Sequence, residues 1–113
     1  MYVRDLKEGC IVKPQGNLVF GMNEISKAWD HAEGAAELAE HGIHYHSTTV
    51  PRETVGRRMF SRVYRRVSEG VALYAGIIQL KNGYYGVKKQ HIFIIDGMSV
   101  AIDGYSVRDL EII

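Results

Sequence analysis

The chain has 113 residues, 46% of them apolar and 24% charged, with a formal net charge of +1. That is the size of one domain with one core, and the balance excludes a disordered chain. The near-zero charge excludes nucleic-acid attraction by the molecule as a whole, so such affinity would have to come from local clustering. A single cysteine, Cys10, excludes an internal disulfide and fits a reducing compartment. The opening MYVRDLKEG has no apolar run behind it, so no signal peptide is expected, and no stretch approaches the ~20 apolar residues that cross a bilayer. The expectation is one cytoplasmic domain over 1–113 with no membrane partner.

Near the start, LKEGCIVKPQG gives a short apolar strand from Cys10 to Lys13, closed by Pro14 and Gly16. NLVFGM reads as a second short strand pairing back onto it. Ile25, Ala28, Trp29, Ala32, Ala35, Ala36 and Ala39 then recur at spacings of three and four, one stripe of an amphipathic helix. Asn23 or Ser26 is placed to cap its start, and Gly42 sits where a left-handed C-terminal cap belongs, with Ile43 supplying the apolar contact that follows such caps. Gly34 weakens this helix by up to ~1 kcal/mol without ending it. Trp29, on the alanine-lined stripe, reads as a core or interface anchor.

VGRRMFSRVYRRV, residues 55–67, fits two periods. As a helix it puts Val55, Met59, Phe60, Val63, Tyr64 and Val67 on one side and all five arginines elsewhere. As a strand it points Arg65 inward among Met59, Val63 and Val67. The helix separates charge from core, and the expectation leans that way.

The last 43 residues read as β-structure. VALYAGIIQLK, YYGVKKQHIFIID, MSVAI and YSVRDLEII are separated by Asn82-Gly83, Asp96-Gly97 and Asp103-Gly104, pairs that tolerate the positive φ of tight hairpin corners. The runs are rich in Ile, Val, Tyr and Phe, which suit a half-buried pleated surface. An antiparallel meander follows, with SVRD able to form one 3₁₀ turn before a final strand.

This order of elements resembles the SH3-like small barrel shared by SH3, Tudor, KOW and Sm-like domains. The resemblance implies a mainly β, α+β fold: a strongly bent antiparallel sheet with helices inserted at roughly 14–69, in the loop after the first strand. IDGYSV, Ile102 to Val107, is similar to the second Sm motif at its apolar ends and at Gly104, which points to the Sm-like branch and to small barrels carried by bacteriophages. Asp103 stands where that motif has the arginine that helps hold RNA, and the first Sm motif has no counterpart beyond DGMSV at 96–100. The SH3 groove signals are missing too.

Two clusters could carry function. Arg52, Arg57, Arg58, Arg62, Arg65 and Arg66 fall within fifteen residues. Arginine suits bidentate phosphate contacts, and Phe60 and Tyr64 among them could stack on bases. With Lys88 and Lys89 of YYGVKKQH they form a candidate surface of Arg57, Arg58, Arg62, Arg65, Arg66, Phe60, Tyr64, Lys88 and Lys89 for RNA or single-stranded DNA. The plainer account is a solvated face or subunit contact, with ion pairs to Glu24, Glu33, Glu37 and Glu40. In AEHGIHYHSTT, His44 and His46 would share a face if extended, but zinc needs three or four protein ligands and this spacing matches no such pattern. A helix end, where His41 suits the dipole, accounts for them better.

No nucleophile with its base and no phosphate-cradling glycine loop appears, and Cys10 reads as a small buried apolar residue. The sequence therefore points to a non-enzymatic domain with no cofactor. An open small barrel leaves edge strands unpaired, and the tail ends on Ile112 and Ile113, so a homo-oligomer is expected. The alternative is a protein-interaction or viral assembly factor without nucleic-acid binding.

Overall fold

The structure is a computed structural model that describes residues 5–25, 32–54, 58–59, 62–63, 66–84, 86–102, 104 and 106–113, with the backbone alone at 32, 58, 59, 62 and 63. Among the described residues it is mainly β with one helix. In chain order the elements are β1 (Ile11–Pro14), β2 (Leu18–Glu24), α1 (Ala32–Glu40), β3 (Tyr45–Pro51), β4 (Arg58–Met59), β5 (Arg62–Val63), β6 (Arg66–Ser68), β7 (Ala72–Tyr84), β8 (Val87–Ile95), β9 (Met98–Ile102) and β10 (Leu110–Ile112). Short 3₁₀ turns occupy Arg52–Thr54 and Ser106–Asp109.

Eight strands form one open sheet in the order β10-β1-β7-β8-β9-β3-β2-β6, and β4 pairs with β5 separately. Five strand positions separate β1 from β2, about 24 Å in a flat sheet. Yet residues 15–17 alone join them, and four Cα steps reach no more than ~15 Å. The sheet is therefore strongly curled, and its concave side closes on Val12, Phe20, Met22, Tyr74, Phe93, Ile95, Val100, Ile102, Val107 and Leu110.

The C-terminal meander is as expected: β7, β8 and β9 pair antiparallel in succession, and β10 returns along β1. Asp96 and Gly97, with φ of 51° and 77°, make the two-residue corner between Ile95 and Met98. The 3₁₀ turn falls on SVRD. Asn82-Gly83 is not a corner. β7 runs through it to Tyr84, which pairs with Val87, so the hairpin turns three residues later, and the register slips between Gln79 and Tyr84. The extra residues on β7 bulge outward there. Asp103 lies outside the described residues.

NLVFGM is a strand, but it does not pair with β1. The two sides of β1 are taken by β10 and β7, and β2 pairs instead with β3 and β6. The inserted 14–69 stretch is accordingly not chiefly helical: it adds β2, β3 and β6 to the sheet, attached through the parallel pairing of β3 with β9. The described parts of 55–67 are strands, against the helical expectation. Arg58 stands opposite Val63 and Met59 opposite Arg62, while Arg66–Ser68 pairs with Phe20–Met22. Val67 thereby joins Val19 and Val50 in a small apolar cluster, burial that tertiary pairing provides and a helix propensity does not.

The helix ends as its sequence prescribes. Gly42 has φ of 79°, its N–H bonds the carbonyl of Ala39, and the N–H of Ile43 bonds that of Leu38. Leu38 and Ile43 then pack together against Leu80, Tyr84, Ile92 and Ala101 on the outer side of the sheet. Asn23 is inside β2 rather than capping the helix, and Ile25 follows that strand. Ser26, Ala28 and Trp29 lie outside the described residues. No helix among the described residues is long and apolar enough to cross a membrane.

Candidate functional site

Of the proposed nucleic-acid surface, Arg57, Phe60, Tyr64 and Arg65 lie outside the described residues, and Arg58 and Arg62 are placed only by backbone. Arg66 is described. It sits on β6, at one edge of the main sheet, with its guanidinium 5.1 Å from the ring centre of Tyr45 and donating to the Met98 sulfur at 3.1 Å. Cation–π contact and the thioether hold the exposed guanidinium in place. Tyr45 reaches it from β3, two strands away across β2. The sequence offered Phe60 and Tyr64 as rings to stack on bases, and both lie outside the described residues; the ring beneath the Arg66 guanidinium is that of Tyr45.

Lys88 and Lys89 are exposed on β8, beside the hairpin that follows β7. In register, Arg66 falls in the row Met22, Ser47, Ile102 and His91, four strand positions from β8. Lys89 lies two residues beyond that row. The lysines therefore stand apart from Arg66 along the sheet rather than beside it. Arg52 pairs with Glu69, not with the helix, and Glu24 lies in β2.

Glu37, also offered as an arginine partner, does something else. Its carboxylate accepts the backbone N–H groups of Lys81 at 2.6 Å and Asn82 at 2.8 Å, and these bonds lower its pKa below the ordinary 4.5. The β7 bulge leaves these amides without ladder partners, and α1 supplies the acceptor.

The histidines separate. His44 is exposed ahead of β3, while His46 is within it, its ring 5.9 Å from that of Tyr84. His41 is exposed at the helix end. Among the described residues no three His, Cys, Asp or Glu side chains gather closely enough to hold a metal ion. His91 pairs with Tyr74: Tyr74 Oη and His91 Nδ1 are 3.0 Å apart. Burial lowers the His91 pKa from its ordinary 6.5, and burial with the nearby Glu8 charge raises that of Tyr74. Cys10 is half-buried against the main core, accepting the Lys7 N–H through its sulfur.

A second surface was missed. On the outer side of the sheet the described residues of α1 pack against the part formed by Ile78, Leu80, Ile92 and Ala101. Beyond it Ile11, Leu73 and Ile94 are 45%, 38% and 37% exposed, and they are direct cross-strand neighbours. Ile113, 67% exposed, adjoins Ile11, whose carbonyl accepts its N–H. The signal was in VALYAGIIQL and HIFII: both are apolar at successive positions, as strands covered on both faces are. One helix cannot cover the whole outer face of such strands.

No protein-family model, curated protein or solved structure matches this chain.

Proposed function

We propose that the chain is a non-enzymatic small barrel of SH3-like plan that acts by associating with itself. The plan is supported by the strand order β10-β1-β7-β8-β9 and by the 3₁₀ turn placed between β9 and β10. Ile102 and Val107, the apolar ends of the Sm-like motif, are both fully buried, in keeping with that branch. The observation that carries self-association is the uncovered apolar row Ile113, Ile11, Leu73 and Ile94. A cluster of neighbouring exposed aliphatic side chains marks an interaction surface more often than scattered ones do. Light scattering over a concentration series tests this: the mass rises above the 12.7 kDa of one chain, and a strict monomer refutes it.

RNA or single-stranded DNA is the second part of the reading, favoured by the stacking of Arg66 on Tyr45 at a sheet edge, on the strand that follows the arginine-bearing β4–β5 pair in the chain. Such a surface offers charge to phosphates and π-faces to bases. Affinity for a labelled single-stranded oligonucleotide then falls by orders of magnitude between ~50 and ~200 mM salt. No shift at low salt leaves the alternative, a protein-interaction or viral assembly factor.

A further inference from the structure

We infer that Asn82-Gly83 is a site of spontaneous deamidation, held shut while α1 is docked, and that the carboxylate it leaves expels the helix. Neither self-association nor nucleic-acid binding is needed for it.

Of the three asparagines, Asn17 precedes Leu18 and Asn23 precedes Glu24, while Asn82 precedes a glycine. A glycine nitrogen has no neighbouring Cβ to obstruct its attack on the asparagine side chain. The Gly83 backbone nitrogen attacks Asn82 Cγ. The new N–C bond forms as the Cγ–Nδ2 bond breaks, and ammonia leaves with the proton from the attacking nitrogen. Water then opens the cyclic imide at one of its two carbonyls. The product is aspartate or isoaspartate, the latter with Cβ inserted into the main chain. Asn82 is exposed, so water and base reach it. Asp96-Gly97 and Asp103-Gly104 close the same ring only by losing water, and reopening restores the charge they began with.

Ring closure requires rotation about the Asn82 Cα–C bond, away from the extended backbone that β7 has there. The ladder does not prevent it, because among the described residues Leu80 to Gly83 have no cross-strand partner on β8. The helix does. Glu37 holds the N–H groups of Lys81 and Asn82 at 2.6 and 2.8 Å, and Gly34 lies so close to the Gly83 carbonyl that an added Cβ would overlap it. Peptide groups on both sides of the reacting bond are thus pinned by one element. Undocking of this nine-residue helix is a local opening, less costly than global unfolding, and it frees the bond to react. The product then opposes redocking. The Asn82 side-chain amide favours the charged Glu37 carboxylate; a carboxylate in its place repels it. Isoaspartate further lengthens the chain between the clamped N–H groups and Gly83. Since ammonia departs, each event is one-way, and it uncovers Leu80, Tyr84 and Ile92, against which Leu38 packs.

Incubation of the full chain in warm, mildly alkaline buffer tests this, with intact mass and peptide mapping over time. The mass change of an amide turned into an acid appears at Asn82 well before Asn17 or Asn23. In strong urea the same bond reacts several-fold faster than in the folded chain. Glu37→Gln, which loses the charged clamp, reacts several-fold faster than wild type in native buffer; wild type in sub-denaturing urea makes the same comparison if that variant does not fold. Asn82→Asp stands for the product and Asn82→Ser for a neutral residue that cannot react. Hydrogen exchange of the α1 amides is several-fold faster in Asn82→Asp than in wild type, and Asn82→Ser stays closer to wild type. Absence of the mass change at Asn82 in both wild type and Glu37→Gln overturns the site. Equal rates in folded and urea-unfolded chain overturn the gate. Equal α1 exchange in Asn82→Asp and Asn82→Ser overturns the expulsion of the helix.

Discussion

The Glu37 carboxylate receives the Asn82 backbone N–H at 2.8 Å and thereby fastens the helix to the bulge of β7. Lys81 N–H donates to the same carboxylate at 2.6 Å. Because these bonds favour the charged form, the folded-state pKa of Glu37 lies below the ordinary 4.5. Their stabilisation is present above that value and is lost as pH falls through the folded pKa. Glu37→Gln keeps one acceptor and loses the charge. It is therefore expected to lower the urea midpoint at pH 7, with the two proteins converging under acid. A midpoint difference that persists unchanged at pH 3 contradicts this.

Gly34 makes the docking possible. A Cβ at this position would press into the Gly83 carbonyl and stand 2.9 Å from its carbon. Gly34→Ala gains helix propensity of ~1 kcal/mol but must push α1 off β7, and overpacking typically costs ~1–3 kcal/mol. The net expectation is a loss of about 1 kcal/mol, or a melting temperature lower by roughly 4–8 °C. Thermal unfolding measures it; a more stable variant means that helix and bulge are not in contact.

These two residues also mark how far sequence reading reached. Gly42 and Ile43 fixed the helix end because a left-handed cap is a local requirement, and Asp96-Gly97 fixed a corner for the same reason. Asn82-Gly83 carries the same local signal, yet its meaning was set by Glu37 and Gly34, which lie over forty residues away. Val67 and Arg66 became strand because β2 offered an open side, information that no window of thirteen residues contains. The pairing of β3 with β9, on which the whole insertion hangs, is equally non-local. For the candidate surface, arginine clustering was legible, but the Tyr45 partner of Arg66 was not. The exposed apolar row was readable in principle from strands apolar at both parities.

Arg66 gives a direct test of nucleic-acid binding. Replacing it with Ala removes one phosphate contact and the stack on Tyr45, so the slope of log affinity against log salt falls by about 1. Arg66→Lys keeps the charge and preserves the slope, but weakens binding because a lysine neither stacks as well nor forks. Fluorescence anisotropy with a single-stranded oligonucleotide resolves the two. Equal affinities for wild type and Arg66→Ala place the binding surface elsewhere.

Tyr74 and His91 couple the concave core to pH. His91 is pushed below its ordinary 6.5 by burial, so in the unfolded chain it takes up a proton at a higher pH than in the folded one. Stability is accordingly full above about 6.5 and declines as pH falls toward the folded-state pKa. Tyr74, whose own pKa is raised, remains protonated throughout this range and can donate its O–H to Nδ1 of neutral His91, 3.0 Å away. Proton uptake at His91 turns Nδ1 into a donor, and the bond then runs from His91 to the Tyr74 hydroxyl oxygen. Nuclear magnetic resonance titration is expected to place His91 below its ordinary 6.5. Tyr74→Phe removes one half-buried hydrogen bond, worth about 1 kcal/mol at neutral pH. His91→Gln flattens the decline of stability between pH 7 and 5, and a decline as steep as that of wild type assigns it to another group.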